Sequence, residues 1–295
     1  MTPLEDLPQL LINGLVQGTI LAVPAIGFTA IYAVLRYANF TVASHATMGA
    51  YAGFVANTMF GWPAYASLVL AFVVPALSGV GCHIVALRPL LRQGGPLTAA
   101  IAAVALTIAL ENVIRFIFGN DLRGYDLPVY RDWRFDLGFT VVRIGPQQLE
   151  NAGISLAIMA ALFAFLAFTR TGKMMRAVAD NAPLAAIKGV NAETVARLAN
   201  FIGMGLAGVG GMLLGLDTSI DPLTGFRAML AVFAAAVVGG LGSIPGAVVG
   251  AAVIGIGEEL SLLVLDASYR TAVGFVAILV VLSFRPRGIL GERAY

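Results

Sequence analysis

The sequence predicts an all-α, polytopic membrane protein of eight or nine transmembrane helices in an inverted-repeat arrangement. Three observations lead there. Of 295 residues, 59% are hydrophobic and only 12% are charged, about half the charged share of a soluble domain. Uncharged runs recur along the chain at lengths suited to the hydrocarbon core, which a helix crosses in about 20 residues. Lys and Arg gather at one set of the corners between those runs, the bias that marks cytoplasmic loops. The single cysteine, Cys82, excludes an intrachain disulfide. No Cys/His grouping has metal-ligand spacing, so no metal site is expected. A net charge of +2 is too small to point to nucleic acid.

The first run, 7–35, carries no Asp, Glu, Lys or Arg and makes one span, with Pro24 as a kink. Acidic Glu5 and Asp6 precede it and no small-x-small site follows, so it is expected to be a retained helix. The run 37–87 is more than twice the length of a span and must double back, with Gly61-Trp62-Pro63 as the corner. Segments 96–118, 151–169 and 198–216 supply spans four to six. The run 228–257 is interrupted by Gly239-Gly240-Leu241-Gly242-Ser243-Ile244-Pro245-Gly246, giving a short seventh segment, a break, and an eighth span to about residue 265. Residues 267–284 form the ninth.

Nine spans put Arg36, Arg88, Arg92, Arg170, Lys173, Arg176, Lys188, Arg197, Arg285, Arg287 and Arg293 on one side, the cytoplasm. The amino terminus, the 120–149 loop and the Asp217/Asp221 turn then lie outside. An eight-span arrangement would leave the basic tail outside, which favours nine. Spans one to four and six to nine start from opposite sides, with the fifth as connector, the topology of an inverted repeat. The whole chain, 1–295, reads as a single transmembrane domain.

Glu111 and Arg115, four apart on the fourth span, are expected to form an intramembrane ion pair. Glu258 and Glu259 are expected to be solvated at the outer interface. His45 and His83 are isolated and give no proton relay. Asn13, Gln17, Asn39, Asn57 and Asn200 suit hydrogen bonds between helices, and the glycine ladder from Gly203 to Gly211 suits close helix packing. The glycine run around Gly240 reads either as a broken helix lining a polar path or as a plain turn.

No carboxylate lies securely at the midplane for ion coupling. Thr171-Gly172-Lys173-Met174 lacks the features of a phosphate-binding loop, so ATP is not expected to bind this chain in that manner. No Ser/His, paired-Asp or His-Glu-x-x-His set occurs within the spans, so an enzyme is not expected.

Two soluble segments stand out. In 120–149, alternation on either side of Gly138 suggests a small hairpin outside the membrane, a lid or a contact for an extracytoplasmic partner. In 170–197, Asp180 or Asn181 can cap a helix, Pro183 fits its first turn, Leu184-Ala185-Ala186-Ile187-Lys188 continues it, and Gly189 suits the residue after its end. Asn191, with Glu193 in the first turn, then caps the sixth span. A helix of under two turns gains little stability alone, which points to docking against a cytoplasmic partner.

Three stretches carry a family likeness: Asn39-Phe40 followed by Gly49-Ala50-Tyr51; Arg176-Ala177 through Asp180-Asn181, Ala185-Ala186 and Gly189-Val190-Asn191; and Gly239 to Ala247. With the tail Arg285-Pro286-Arg287-Gly288-Ile289-Leu290-Gly291, they are spread in order over nearly the full chain. The chain resembles the LivH-type permease subunits of bacterial ABC importers for branched-chain amino acids. One departure is Thr41-Val42-Ala43 where the family commonly has Ala-His-Gly, with a histidine only at His45. The resemblance implies an inner-membrane protein with a LivM-like sister permease, two cytoplasmic ATPase subunits that hold the ATP and magnesium, and a periplasmic substrate-binding protein. It makes 181–189 a coupling helix and places the pathway beside Asn39, Phe40, His45, Gly49, Gly239, Gly240, Gly242 and Ser243. A stand-alone ion-coupled carrier or channel for small polar solutes such as amides or urea is the alternative reading.

Overall fold

In a computed structural model, residues 6–128, 131–136 and 141–291 are described; Glu5, Gly138 and Arg293, named above, lie outside them. The helices are α1 (Leu7–Leu35), α2 (Val42–Phe54), α3 (Ala64–Cys82), α4 (Arg88–Phe118), α5 (Pro146–Phe168), α6 (Arg170–Ile187), α7 (Ala192–Asp217), α8 (Thr224–Gly239), α9 (Ile244–Ser261) and α10 (Ala272–Phe284). Short π-helical turns, Val55–Met59 and His83–Leu87, extend α2 and α3. Strands β1 (Trp133–Asp136) and β2 (Val141–Ile144) pair antiparallel, Trp133 opposite Ile144.

Among the described residues, five helical stretches are long and apolar enough to cross a membrane, and α8 and α10 are shorter apolar helices. One stretch, Ala64–Phe118, has 55 residues and would measure about 80 Å if straight, far beyond one crossing. Gly95, with φ +77°, kinks it, and the length of the stretch requires more than one pass.

The core is organised around α7, whose glycines let three helices close on it from different sides. A Cβ at Gly210 would lie 2.4 Å from Pro24 of α1, one at Gly211 would lie 2.0 Å from the Ala46 carbonyl of α2, and one at Gly208 would lie 2.2 Å from the Ala71 carbonyl of α3. Two helix-interior prolines thus find their partners, since Pro75 also abuts Gly208. Close approach of this kind maximises van der Waals contact where lipid supplies no hydrophobic drive between helices. On the far side of α1, Gly14 and Gly18 admit the backbone of α9 at Ile256 and Ala252.

Several sequence-read boundaries shift: α5 starts at Pro146 rather than 151, α8 at Thr224 rather than 228, and α9 ends at Ser261 rather than near 265. The last helix starts at Ala272 rather than 267, because Arg270 is drawn into contact with Glu258 (3.6 Å) and Glu259 (2.5 Å). The two glutamates are buried and share that one arginine rather than being solvated at an interface. In addition, 170–180 is helical. The Thr169 hydroxyl accepts from Gly172 N–H at 2.9 Å, and Gly172, Met175 and Val178 turn inward. Its Arg, Lys, Met and Ala content supports a helix once that face is covered.

A further correction concerns Glu111 and Arg115, which do not close as an ion pair. Glu111 is buried, and its Oε1 and the Arg115 Nε both lack hydrogen-bond partners. Glu111 shares the side of α4 that buries Ile114 against Ala50, Tyr51 and Phe54. Of the amides expected between helices, Gln17, Asn39 and Asn200 bond that way, whereas Asn13 pairs with Gln9 of its own helix and Asn57 with loop residues. Gln17 donates to Asp217 at 2.9 Å, Asn39 to Asn200 at 3.5 Å, and Asn57 accepts from Asp126 N–H at 2.7 Å.

Candidate functional site

The site is the end of the bundle where Arg36 meets α6 and Arg88, Arg92 and Arg197 meet Glu193. Arg36 ends α1 in the left-handed conformation (φ 57°) and its guanidinium donates to the Ala179 carbonyl. Two residues on, Asn181 (φ −154°) breaks α6. Its Oδ1 accepts from Leu184 N–H at 3.0 Å, so Asn181 rather than Asp180 caps the short helix that follows, with Pro183 in its first turn. At the other end, Gly189 N–H donates to Ala186 O (2.9 Å) and Val190 N–H to Ala185 O (3.0 Å), the double closure of a Schellman motif, with Gly189 at φ +85°. Asn191 then caps α7 through Glu193 and Thr194 N–H, at 3.0 and 3.3 Å.

This six-residue turn is fixed at both ends, yet its apolar face is uncovered. Ala185 is buried, while Leu184 is 54% and Ile187 81% exposed. Two large aliphatic side chains three apart share one face of a helix. Arg176 and Lys188 flank them in sequence.

Gly189→Val should show what the Schellman closure is worth. A β-branched residue in the left-handed region costs about 1–2 kcal/mol locally, and no atom lies within 4 Å to clash with its Cβ. The expected outcome is normal membrane insertion with reduced solute uptake, measured by membrane quantification and labelled-solute uptake; full uptake would contradict it.

The eight residues proposed for a path fall into two groups. Asn39, His45 and Gly49 are buried at the start of α2. The Asn39 Oδ1 accepts from Thr41 N–H (3.2 Å) and Oγ1 (2.7 Å), His45 Nδ1 donates to Thr41 O at 2.7 Å, and Phe40 tilts onto Phe233 of α8 at 5.8 Å. Gly239, Gly240, Gly242 and Ser243 form the α8–α9 corner. There Gly239 abuts Gly246, Gly240 (φ +112°) would strike Gly291 if it carried a Cβ, and Ser243 caps α9 by accepting from Gly246 N–H at 3.2 Å. Ile289 and Leu290 N–H donate to the Val238 and Gly239 carbonyls at 2.8 and 2.9 Å, so the tail covers the corner and satisfies the last carbonyls of α8. The contacts of Gly239, Gly240 and Ser243 are those of a tight turn. Ser243→Ala is accordingly expected to cost about 1 kcal/mol through the lost cap and to leave uptake unchanged, read by thermal unfolding in detergent alongside uptake.

At the opposite end, a cavity of about 420 Å³ lies between the Gly61–Pro63 corner and the start of α5, lined by Asn57, Trp62, Tyr65, Asp126, Gln147 and Glu150 among others. It includes none of the eight. The hairpin is held there too: Gln9 donates to the Arg143 carbonyl and accepts from its N–H, at 2.9 and 2.7 Å.

Sequence reasoning missed the partners of Glu193. This carboxylate lies 2.9 Å from Arg88, 3.6 Å from Arg92 and 3.2 Å from Arg197. The available signal was a lone acid in the first turn of α7 among basic corners.

Fold and site together define an all-α, polytopic membrane protein whose charged end presents a short, doubly capped helix. The chain belongs to the family described as branched-chain amino acid transport system / permease component, whose pattern matches residues 10–283. It is 33% identical to the high-affinity branched-chain amino acid transport system permease protein BraD of Pseudomonas aeruginosa, covering 96% of this chain and 95% of that protein. It is 34% identical to the corresponding permease protein LivH of Escherichia coli K12, with the same coverages. A probable branched-chain amino acid transport permease protein LivH of Methanocaldococcus jannaschii is 28% identical, covering 98% of this chain and 94% of that one.

Proposed function

We propose that this chain is the membrane-spanning permease subunit of an ABC importer that carries branched-chain or related amino acids across a bacterial inner membrane. The observation that carries the reading is the exposed Leu184/Ile187 pair on a helix fixed at both ends by Asn181 and Gly189. A stiff, apolar, water-facing turn suits seating in a groove of a cytoplasmic ATPase, which would hold ATP and magnesium. Relatives named as branched-chain amino acid permease proteins support the solute class.

In this reading the arginine-bearing end and the carboxyl terminus face the cytoplasm, and the amino terminus and the hairpin face the periplasm. The chain forms one domain, with 120–149 as a periplasmic loop and 170–197 as a cytoplasmic loop holding the coupling helix. The pathway is completed against a sister permease, near Asn39, Phe40, His45 and Gly49. A secreted binding protein delivers the solute to the hairpin end. This chain performs no covalent chemistry; it supplies a path and a lever that converts motion of the ATPases into alternating access.

Proteoliposomes holding this chain and its sister permease alone are expected to show no ATP-driven uptake of labelled leucine. Adding the two ATPase subunits and the binding protein should restore it. Uptake against a gradient without any ATPase would overturn the proposal.

A further inference from the structure

The short helix 182–187 is bracketed by two charged contacts that lead to different corners of the bundle. On its amino-terminal side, Arg36 of α1 holds the Ala179 carbonyl. On its carboxyl-terminal side, Glu193 stands four residues beyond Gly189 and two beyond the Asn191 cap. Its carboxylate meets Arg88 and Arg92 at the start of α4 as well as Arg197 on its own helix. Arg88 directly follows the π-helical turn His83–Leu87, and Gly95 bends the chain two turns further on.

One carboxylate faced by three guanidinium groups is a contact that depends on its negative charge. Without it, three cations would be left converging on one point and would drive the corners apart. The groups are partly open to solvent, with the Glu193 side chain 24% exposed, and exposed ion pairs add little to overall stability. The arrangement therefore matters more for where the corners are held than for whether the protein folds. The Arg88 contact is a charge contact rather than an aligned hydrogen bond, because its Nε finds no partner of hydrogen-bond geometry.

The far end of this link is built to yield. A π-helical turn holds one residue more than the α-helix around it, and such turns recur at functional positions. His83, which opens the turn, is buried with neither ring nitrogen hydrogen-bonded, so displacement of α3 breaks no side-chain bond there.

We propose that Glu193 is a positioning residue for transport: its carboxylate ties the docking helix to the α3–α4 corner, so that motion imposed at Leu184 and Ile187 reaches the turn at His83–Leu87. This rests on the docking reading above and assigns the route by which the push enters the bundle. Arg36 gives a second tie toward α1, so loss of Glu193 uncouples the α3–α4 corner without freeing the lever entirely.

The test uses the complete importer in liposomes, with labelled leucine uptake and ATP hydrolysis measured in the same vesicles. In Glu193→Gln, leucine moved per ATP hydrolysed is expected to fall about tenfold, within the range of coupling between linked sites, while the ATPase subunits stay bound to the tagged permease. Glu193→Asp, which keeps the charge, should recover most of the ratio. Arg88→Gln reads the same link from the other partner should the Gln variant accumulate poorly. An unchanged ratio in both neutral variants overturns the proposal. So does loss of uptake only in step with loss of bound ATPase, since that is a docking or folding defect. If instead the unaltered permease retains no ATPase, it is the docking reading that has failed.

Discussion

Replacing Leu184 and Ile187 together with Asp is expected to abolish uptake while leaving the permease itself intact. Both side chains are more than half exposed and sit on a turn whose backbone is closed by Asn181 and Gly189. The substitutions remove no buried contact, so thermal unfolding in detergent should be unchanged. In an ATPase groove the same two residues would be apolar anchors, and loss of such anchors costs about 2–4 kcal/mol each. ATPase affinity should therefore fall about a thousandfold or more. Retained co-purification of the ATPase subunits with the double variant would show that the turn is not where they bind.

The second large effect is expected in the interior. A Cβ at Gly49 of α2 would lie 2.2 Å from the Gly208 Cα, and its neighbours there are backbone atoms that cannot swing aside. Gly49→Val should force α2 and α7 apart and loosen the helix around which the bundle closes. The cost is expected at the top of the overpacking range, about 3 kcal/mol. Fluorescence-detected size-exclusion after heating should show early loss of the folded peak. Gly153→Ala on α5 is the matched control, since a Cβ there meets nothing within 4 Å. Equal stability of the two variants would contradict the packing account.

Much of this was legible in the chain because lipid imposes few solutions on an uncharged run: it must be a helix, and its length sets how often it turns. The corner at Gly61–Pro63 and the break at Gly239–Gly246 follow from that constraint together with glycine and proline chemistry. The caps of 181–191 were readable because they are local, each decided by one side chain and its neighbours three residues away.

Long-range pairings were not readable. Arg270 finds Glu258 and Glu259 across a turn, and that contact moves the start of the last helix. Glu111 and Arg115 have the spacing of an ion pair, but Glu111 lies one turn from Ile114, which packs on α2, a neighbour that spacing alone does not reveal. Glu193 looked like a helix-start residue, and the three arginines that meet it come from its own helix and from a corner a hundred residues away. At the Gly239–Gly246 break, the deciding contact is the carboxyl-terminal tail folding back over Gly239 and Gly240, which no local pattern announces.

The lever is tested most directly by cross-linking from position 187 in the assembled importer. Ile187→Cys, placed on a permease whose native Cys82 is replaced by Ser, would be treated with a short bifunctional thiol reagent in native membranes. A covalent product joining the permease to an ATPase subunit, lost in the Leu184→Asp background, is the expected result. Labelling of residue 187 by a water-soluble maleimide to the same extent with and without the ATPases present, and no joined product, would contradict it.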